Sequence, residues 1–563
     1  MANEDIISCV LGHADRMGER TCVQTFSRRT KPQARTFGQI AEAAARAAGF
    51  FHEHGLRAGD VVVLVGTHHI DFYATWLGCA WLGAIPTVLA EPSVRVAKEI
   101  YWSRLGELLA RIGAWGLAAD PKLKIEDSLL AVPNTFRYDQ IAAGSGPVPA
   151  RAACRSADTM LLQHSSGTTG LHKGVMLSHE AVWRHAESYN RDLKMTDQDV
   201  IASWLPLYHD MGFIACFVTP LLLGVEVVWL SPFEWVANPA LLLDVVSRHR
   251  ATLAWLPNFA FAFLAQRAKA EPGQYDLSSL RAVINCSEPV SQEAMHAFAN
   301  RFAGDGLSPT ALATCYAMAE NVFAVTTSSA ECPPRYRRVD RTVWHNHHRS
   351  EEVAESDEHP VVHVSNGRCV ADCEVRIVAD DGRQLPAGEA GQILVRSSFL
   401  FTGYFRRDDL NSELFDTEGF FNTGDLGYLD ADGHLYVTGR AKDLVIIGGR
   451  NVYPQDVEQV VNQVGGVHAG RVVSFGVPML EMGTEGLVVL VESDEPEVAW
   501  EEIAAQVRIS VPARLDIDLA DARVVPRGKL RKSTSGKLAR GGNREWYLNG
   551  TFGTIPPTIS TQE

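Results

Sequence analysis

The sequence has little that could staple or charge a surface. Its ten cysteines (positions 9, 22, 79, 154, 216, 286, 315, 332, 369 and 373) include no CxxC pair; the tightest spacing is Cys369-xxx-Cys373. In a chain of 563 residues, long enough to bury a large core unaided, this pattern excludes a disulfide scaffold and predicts reduced thiols in a cytoplasmic protein. Basic residues are in deficit, 52 Lys and Arg against 67 Asp and Glu, and a net charge of −15 argues against a nucleic-acid partner. A basic segment leading into an apolar run is missing from the N-terminus, so no secretory signal is expected. Only Phe72 to Ala90 runs uncharged for membrane length, and Gly78, Gly83 and Pro86 interrupt it. The breakers predict a buried helix of about ten residues, a turn and a strand, without stable membrane insertion. No repeat at solenoid period is visible, and no GxxxxGK[ST] phosphate loop occurs.

What is present is helix and strand in alternation. Apolar residues recur at helical spacing from Ile40 to Gly55, and Val61 to Val65 is purely aliphatic after the Gly59-Asp60 turn. The same alternation reaches Ala282–Ile284 and implies parallel sheets covered by helices. Asn238-Pro239 predicts a helix start, with Asn238 as cap and the proline in the first turn. Residues 331–367 show neither period: Pro333-Pro334, the basic Arg335–Arg338, the group His345-Asn346-His347-His348 and the acidic Glu351–Glu358 read as an irregular insertion. Those histidines lack the carboxylate or cysteine spacing of a metal site and read as a solvated loop. Beyond residue 440 the pattern shortens to a helix (Gln455–Val464), strands (Arg471–Val477, Glu485–Glu492), a helix (Ala499–Ile509) and a strand (Ala522–Val525), a small α/β domain over 441–550. Residues 551–563 are expected to be a loose tail.

Chemistry concentrates in Leu161 to Val175. An apolar strand runs into a loop holding Ser165, Ser166, Gly167, Thr168, Thr169 and Gly170, then Lys173. Glycines let backbone N–H groups approach an anion, the hydroxyls add donors and the lysine adds charge, so the segment reads as a phosphate cradle. Four further segments follow in order: Tyr316-Ala-Met-Ala-Glu320, Asn422-Thr-Gly-Asp-Leu426, Gly439-Arg-Ala-Lys-Asp443 and Ser535-Gly-Lys537. Together the five resemble the adenylate-forming superfamily of acyl-CoA synthetases, fatty acyl-AMP ligases, amino-acid adenylation domains and luciferases, over roughly residues 20 to 545.

The resemblance implies an α/β fold with a large N-terminal body of layered α/β subdomains (1–440) and a small, mobile C-terminal α/β domain. It implies attack of a carboxylate on the α-phosphorus of ATP, loss of magnesium pyrophosphate, and thiol attack on the acyl-adenylate. On that reading the 165–173 loop, with Thr168 and Lys173, holds the β- and γ-phosphates, and Glu320 coordinates Mg2+. Tyr316 stacks on adenine, the Cys286-Ser287-Glu288-Pro289 segment lines the nucleotide, Asp425 accepts the ribose hydroxyls and Arg440 lies nearby. Lys537 bridges the substrate carboxylate and the α-phosphate. Lys442 is the hinge about which the small domain turns between adenylating and thiol-transfer poses.

Within the superfamily, Ser203-Trp-Leu-Pro-Leu-Tyr-His-Asp-Met-Gly212, Pro257-Asn-Phe259, Ser287-Glu-Pro289 and Asn451-Val-Tyr-Pro-Gln-Asp-Val-Glu458 resemble the fatty acyl-AMP ligase branch. Ala319 stands where most CoA ligases have a threonine, and the 331–367 insertion lies where that branch carries an extra segment. The branch implies a phosphopantetheine thiol on an acyl carrier protein as acceptor, with CoA the alternative. The chain departs from the pattern at Ala317, at His172, at Leu530-Arg531-Lys532 and around Ala90-Glu-Pro-Ser93. The acyl pocket is expected to be walled by Trp204, His209, Met211, Phe213, Trp255, Phe259 and Phe263; the aromatics among them serve equally well as core. Asp210 sits near the ammonium-binding position of amino-acid adenylation domains, which keeps an amino-acid substrate as a further alternative. A degenerate nucleotide-binding module is the remaining one.

Overall fold

The computed structural model describes residues 5–66, 68–92, 98–125, 132–165, 173–269, 271–328, 334–357, 360–447, 450–479, 484–515, 517–533, 537–556 and 558–559. Two large sheets form the centre of the body. The strand Val61–Val65 is buried at all five positions and pairs in parallel with Ile85–Leu89 on one side and Gly116–Ala119 on the other. That six-stranded sheet runs on to Thr159–Ser165 and Lys173–Ser178, which close it as an antiparallel pair. A nine-stranded sheet holds Val200–Ser203, Leu253–Leu256, Ala282–Asn285 and Leu312–Ala317 as parallel neighbours. Sheets buried on both faces need continuous apolar strands, which is why these segments read as aliphatic runs.

The uncharged Phe72–Ala90 stretch folds as expected. Its helix, Phe72–Trp81, is buried at every position, and Gly83 takes φ +69 at the turn into Ile85–Leu89. No described helix is long and apolar enough to cross a membrane. The helix after Asn238-Pro239 spans Ala240–His249, but Pro239 itself occupies the cap position and no side chain caps it. Asn238 contributes its carbonyl instead, to the Leu241 N–H at 3.1 Å.

The 331–367 segment departs from the irregular reading. Tyr336–Val339 pairs antiparallel with Val361–Val364, and the helix Arg341–His347 is capped by Asp340, which accepts from the Val343 N–H at 2.8 Å. Val339, Trp344 and Val361 form a compact core with Tyr428, Tyr436 and Tyr453. A handful of apolar residues spaced among charges leaves no periodic signal, yet one buried tryptophan suffices to organise them.

Past the antiparallel sheet Cys373–Val378, Gly391–Ser397, Phe421–Leu429 and Leu435–Arg440, the chain enters the small α/β unit. Val472–Pro478, Glu485–Ser493 and Leu519–Pro526 form its sheet, and Pro454–Val461 and Trp500–Leu515 pack their valines and isoleucines into its own core. A hairpin (Val445–Ile447 with Arg450–Val452) and a last helix (Arg540–Leu548) were not evident from periodicity. The tail is docked where it is described. Ile559 is buried, bridges to Met479, and the Arg523 guanidinium donates to the Phe552 and Thr554 carbonyls.

Candidate active site

Several of the expected residues come together where the body meets the small unit. Leu312–Ala317 carries at its penultimate position Tyr316, whose hydroxyl donates to Asp425 Oδ2 at 2.6 Å, while Arg440 Nε lies 3.1 Å from Asp425 Oδ1. Asp425 and Arg440 are cross-strand partners, so sheet register sets this pair.

Just beyond Tyr316 the chain makes a short turn that presents Glu320. Val322 follows at φ +63, ψ −56, with the Phe323 N–H closing on the Asn321 carbonyl at 2.7 Å: a γ-turn of the strained, positive-φ kind, occupied by a β-branched residue. Asn321 braces it by donating to the Ala324 carbonyl (2.8 Å) and accepting from Ser397 Oγ (2.6 Å). Tyr404 donates to Glu320 Oε1 at 2.9 Å, and Lys173 Nζ stands 4.7 Å over the Tyr404 ring. The 401–405 segment is itself tied to the strand after the 166–172 loop, through Met176 N–H to Gly403 O (2.9 Å) and Phe405 N–H to Gly174 O (2.8 Å).

Lys537 acts on this site from the small unit. Burial pushes the Asp210 and Glu288 carboxyls up, and the Lys537 ammonium draws both back down. Burial likewise raises Glu320; Asp210 adds to that rise, while its own backbone N–H, the Tyr404 hydroxyl and Arg440 oppose it. Three half-buried carboxyls and one small-domain lysine thus share one field. Lys442 sits in the short turn Ala441–Asp443 that leads out of the body; burial, Arg440 and Lys173 depress its amine, against Asp443 and Asp425.

The acyl-side residues divide. Trp204 stacks on Trp235 at 3.7 Å and 5°, with Phe259 edge-on to both and Phe263 tilted against Trp235. Phe259 donates its N–H to Glu288 Oε2 at 2.9 Å, joining this aromatic wall to the site. Ser287 adopts φ +72 and its hydroxyl approaches Met211 Sδ at 3.8 Å. Asp210 accepts from the Met211 N–H at 2.8 Å and heads a wide-turned helix, Met211–Val218, buried throughout. His209 lies at the turn before it, its carbonyl accepting from the Phe213 N–H at 2.7 Å. Trp255 and Phe213, like Trp204 and Met211, are buried in the main core cluster. Trp255 spends its N–H on the Tyr189 hydroxyl (3.0 Å), and Phe213 stacks on Phe217. Pro289 is exposed at the edge.

Ser166, Gly167, Thr168, Thr169 and Gly170 lie outside the described residues, and of Ser165 only the backbone, at the strand end, is described. Tyr404 and Trp235 were missed by sequence reasoning, because a lone aromatic outside a motif carries no positional signal. Among the described residues no group of three His, Cys, Asp or Glu could hold a metal ion; His345 and His347 lie on the Arg341–His347 helix, His345 buried, in place of the solvated loop expected.

Residues 12–405 match the family model described as AMP-binding enzyme. The chain is 30% identical to the protein Rv1013 of Mycobacterium tuberculosis, named as a ligase, covering 90% of this chain and 94% of the relative. It is 27% identical to the long-chain-fatty-acid–AMP ligase FadD26 of Mycobacterium marinum (89% of each chain). With the medium-chain-fatty-acid–[acyl-carrier-protein] ligase JamA of Moorena producens it shares 29% identity, over 86% and 85% of the two chains. A solved structure from a study of fatty acyl-adenylate ligases of E. coli and L. pneumophila superposes with TM-score 0.88 at 24% identity, covering 96% of this chain and 97% of the other. Fold and sequence together define an adenylate-forming enzyme. The chain belongs to the AMP-binding enzyme family.

Proposed function

We propose that this enzyme activates a fatty or other apolar carboxylic acid with ATP as the acyl-adenylate, and then passes the acyl group to the phosphopantetheine thiol of an acyl carrier protein in the cytoplasm. What supports this reading is the charge of Lys537, on the small domain, which acts electrostatically on the Asp210 and Glu288 carboxyls, Asp210 in turn acting on Glu320. A cation there meets a substrate carboxylate and an α-phosphate together, holding them for in-line attack and offsetting the charge of the transition state.

Lys173 and the loop before it hold the β- and γ-phosphates. Tyr316 backs the adenine, and its bond to Asp425 fixes the carboxylate that accepts the ribose hydroxyls, with Arg440 balancing its charge. The donor at Glu320 fits magnesium carried with the nucleotide, being a hard oxygen ligand whose burial is costly without a nearby cation. Magnesium supplies charge neutralisation for the departing pyrophosphate. Trp204, Met211 and Phe259 line the entry to the acyl site, beside His209. We place the body at 1–440 and the small domain at 441–550, with Lys442 at the pivot, so that rotation withdraws Lys537 and opens the adenylate to the thiol.

The raised Asp210 carboxyl, already accepting from the Met211 N–H, is a poor anchor for an ammonium, which favours an apolar acid over an amino acid. CoA remains the second acceptor. Acid-dependent ATP–pyrophosphate exchange over fatty, aryl and amino acids, followed by a comparison of CoA with carrier protein, tests the reading. Exchange confined to apolar acids with faster loading of the carrier is expected; fast acyl-CoA formation would make the enzyme a CoA ligase.

A further inference from the structure

Among the described residues, the expected chemistry leaves a pair of half-buried nucleophiles unused. Cys369 ends the strand Arg368–Cys369 and Cys373 begins Cys373–Val378, on either side of a tight turn in which the Cys373 N–H donates to the Val370 carbonyl at 3.2 Å. Asp372 takes φ +59 inside the turn, which folds the chain back so that the two thiols meet, Cys373 donating to Cys369. The turn is pinned from outside, by Ser188 donating to the Ala371 carbonyl and by Arg191 at 3.5 Å from Asp372. Both cysteines are half-buried, so a small oxidant can reach them. The other adjacent thiols, Cys286 and Cys315, are fully buried and sealed from solvent.

The pair is wired to the candidate active site. Cys373 lies opposite Ser397 in the sheet, and both side chains contact Asn321, the residue that braces the γ-turn behind Glu320. Cys369 pairs with Thr326 on the strand that leaves that turn, and both cysteines pack on the apolar cluster that contains Tyr316.

We propose that Cys369 and Cys373 form a reversible intramolecular disulfide that slackens the Glu320 turn and turns down adenylation under oxidising conditions. The Cys373 hydrogen bond holds the Cys369 thiol below its ordinary range, which makes it the first nucleophile. Its thiolate attacks a peroxide oxygen; the O–O bond breaks, Cys369 becomes a sulfenic acid, and the hydroxide released leaves as water after taking a proton. Cys373 then attacks the Cys369 sulfur and expels the second water. Two thiols lose two electrons and two hydrogens to one hydrogen peroxide, and a dithiol reductant restores both. In the disulfide the Cys373 sulfur, which accepts from the Asn321 side chain, is pulled toward Cys369 as the two sulfurs draw from hydrogen-bond contact to a covalent bond. That motion passes into the Asn321–Val322 turn. The effect on adenylation rests on the function proposed above; the disulfide itself does not.

The test treats the full-length protein with hydrogen peroxide and then with dithiothreitol. Trypsin cuts after Arg368 and Arg376, so both cysteines fall on one peptide, 369–376. The expected result is loss of two hydrogen masses from that peptide, resistance of the peptide to alkylation, and a fall in ATP affinity and in exchange of at least about fivefold, the low end of coupling between two sites. Dithiothreitol should reverse all three, and Cys369→Ser or Cys373→Ser should keep the activity of the reduced protein under peroxide. A peptide that stays alkylatable after peroxide, or a disulfide that leaves ATP affinity and exchange unchanged, would overturn the proposal. Reduced protein that shows no exchange with any acid speaks against the ligase reading alone, since peptide mass and ATP affinity still decide the switch.

Discussion

Tyr316 donates its hydroxyl to Asp425 across 2.6 Å, tying the end of a parallel strand in the body to an antiparallel sheet laid down more than a hundred residues later. The bond fixes a carboxylate that also meets Arg440, so the two sheets present one preformed acceptor for neighbouring hydroxyls.

Asp425→Ala should therefore weaken ATP binding by about 1.5–3 kcal/mol, roughly ten- to a hundredfold, with both ribose partners lost. Tyr316→Phe keeps the ring and removes only the brace, and should cost about 1 kcal/mol. Equilibrium titration with ATP separates the two; equal losses would mean that the hydroxyl, and not the carboxylate, meets the nucleotide.

Lys537→Ala should slow adenylation by roughly two to three powers of ten, the scale of a lost charge-stabilising group. Thiol transfer from supplied acyl-AMP should be nearly unchanged, because the proposed rotation of the small domain withdraws the lysine from that step. Single-turnover measurements of each half-reaction make the comparison, and parallel losses in both would contradict a rotating small domain.

Between the insertion and the small domain, burial pushes Asp456 from 3.8 up to about 7, against opposing contributions from Trp344 and Arg341. A raised carboxyl pKa means that the folded state prefers the proton, so this contribution is full below about pH 4 and is lost as pH climbs through 7. Asp456→Asn should flatten that part of the pH dependence of thermal stability without reversing it. An identical pH profile for the two proteins would show that Asp456 is not titrating at the contact.

Trp344 packs between Tyr428 and Tyr453, and the Tyr453 ring lies 5.6 Å away at 28°. Trp344→Ala should cost about 3–5 kcal/mol of local stability. Limited proteolysis should then cut first within the insertion; cleavage elsewhere at an unchanged rate would deny it a core of its own.

Ending the chain after Gly550 removes Ile559 from its buried site and two carbonyl partners from Arg523. Burial of one such aliphatic side chain is worth about 1.5–3 kcal/mol, so the small domain should melt earlier while the body is unaffected. Calorimetry resolving two transitions would show the shift in one alone.

The layered sheets were legible because their strands are aliphatic and their helices periodic: Val61–Val65 appears where the run of valines stands, and Phe72–Trp81 ends where Gly83 permits a turn. The site was legible only as motifs. The resemblance implied that Tyr316, Glu320, Asp425 and Lys537 serve one site, but nothing in the sequence told that Tyr316 would bond Asp425 or that Tyr404 would reach Glu320. Such contacts come from register and crossover between distant strands, which pairwise spacing does not encode. The insertion and the tail hid for another reason. Each is organised by one or two buried side chains, Trp344 or Ile559, too few to produce a period.

Val322 holds a backbone shape that valine disfavours, directly behind Glu320, and neighbouring bonds keep it there. For protein engineering this makes the position a trade. Glycine at 322 would relieve the tension but empty a fully buried site in the core, so the melting temperature should fall, and it would also release the carboxylate from its fixed aim. A screen for thermal robustness would therefore keep the valine, its strained backbone included.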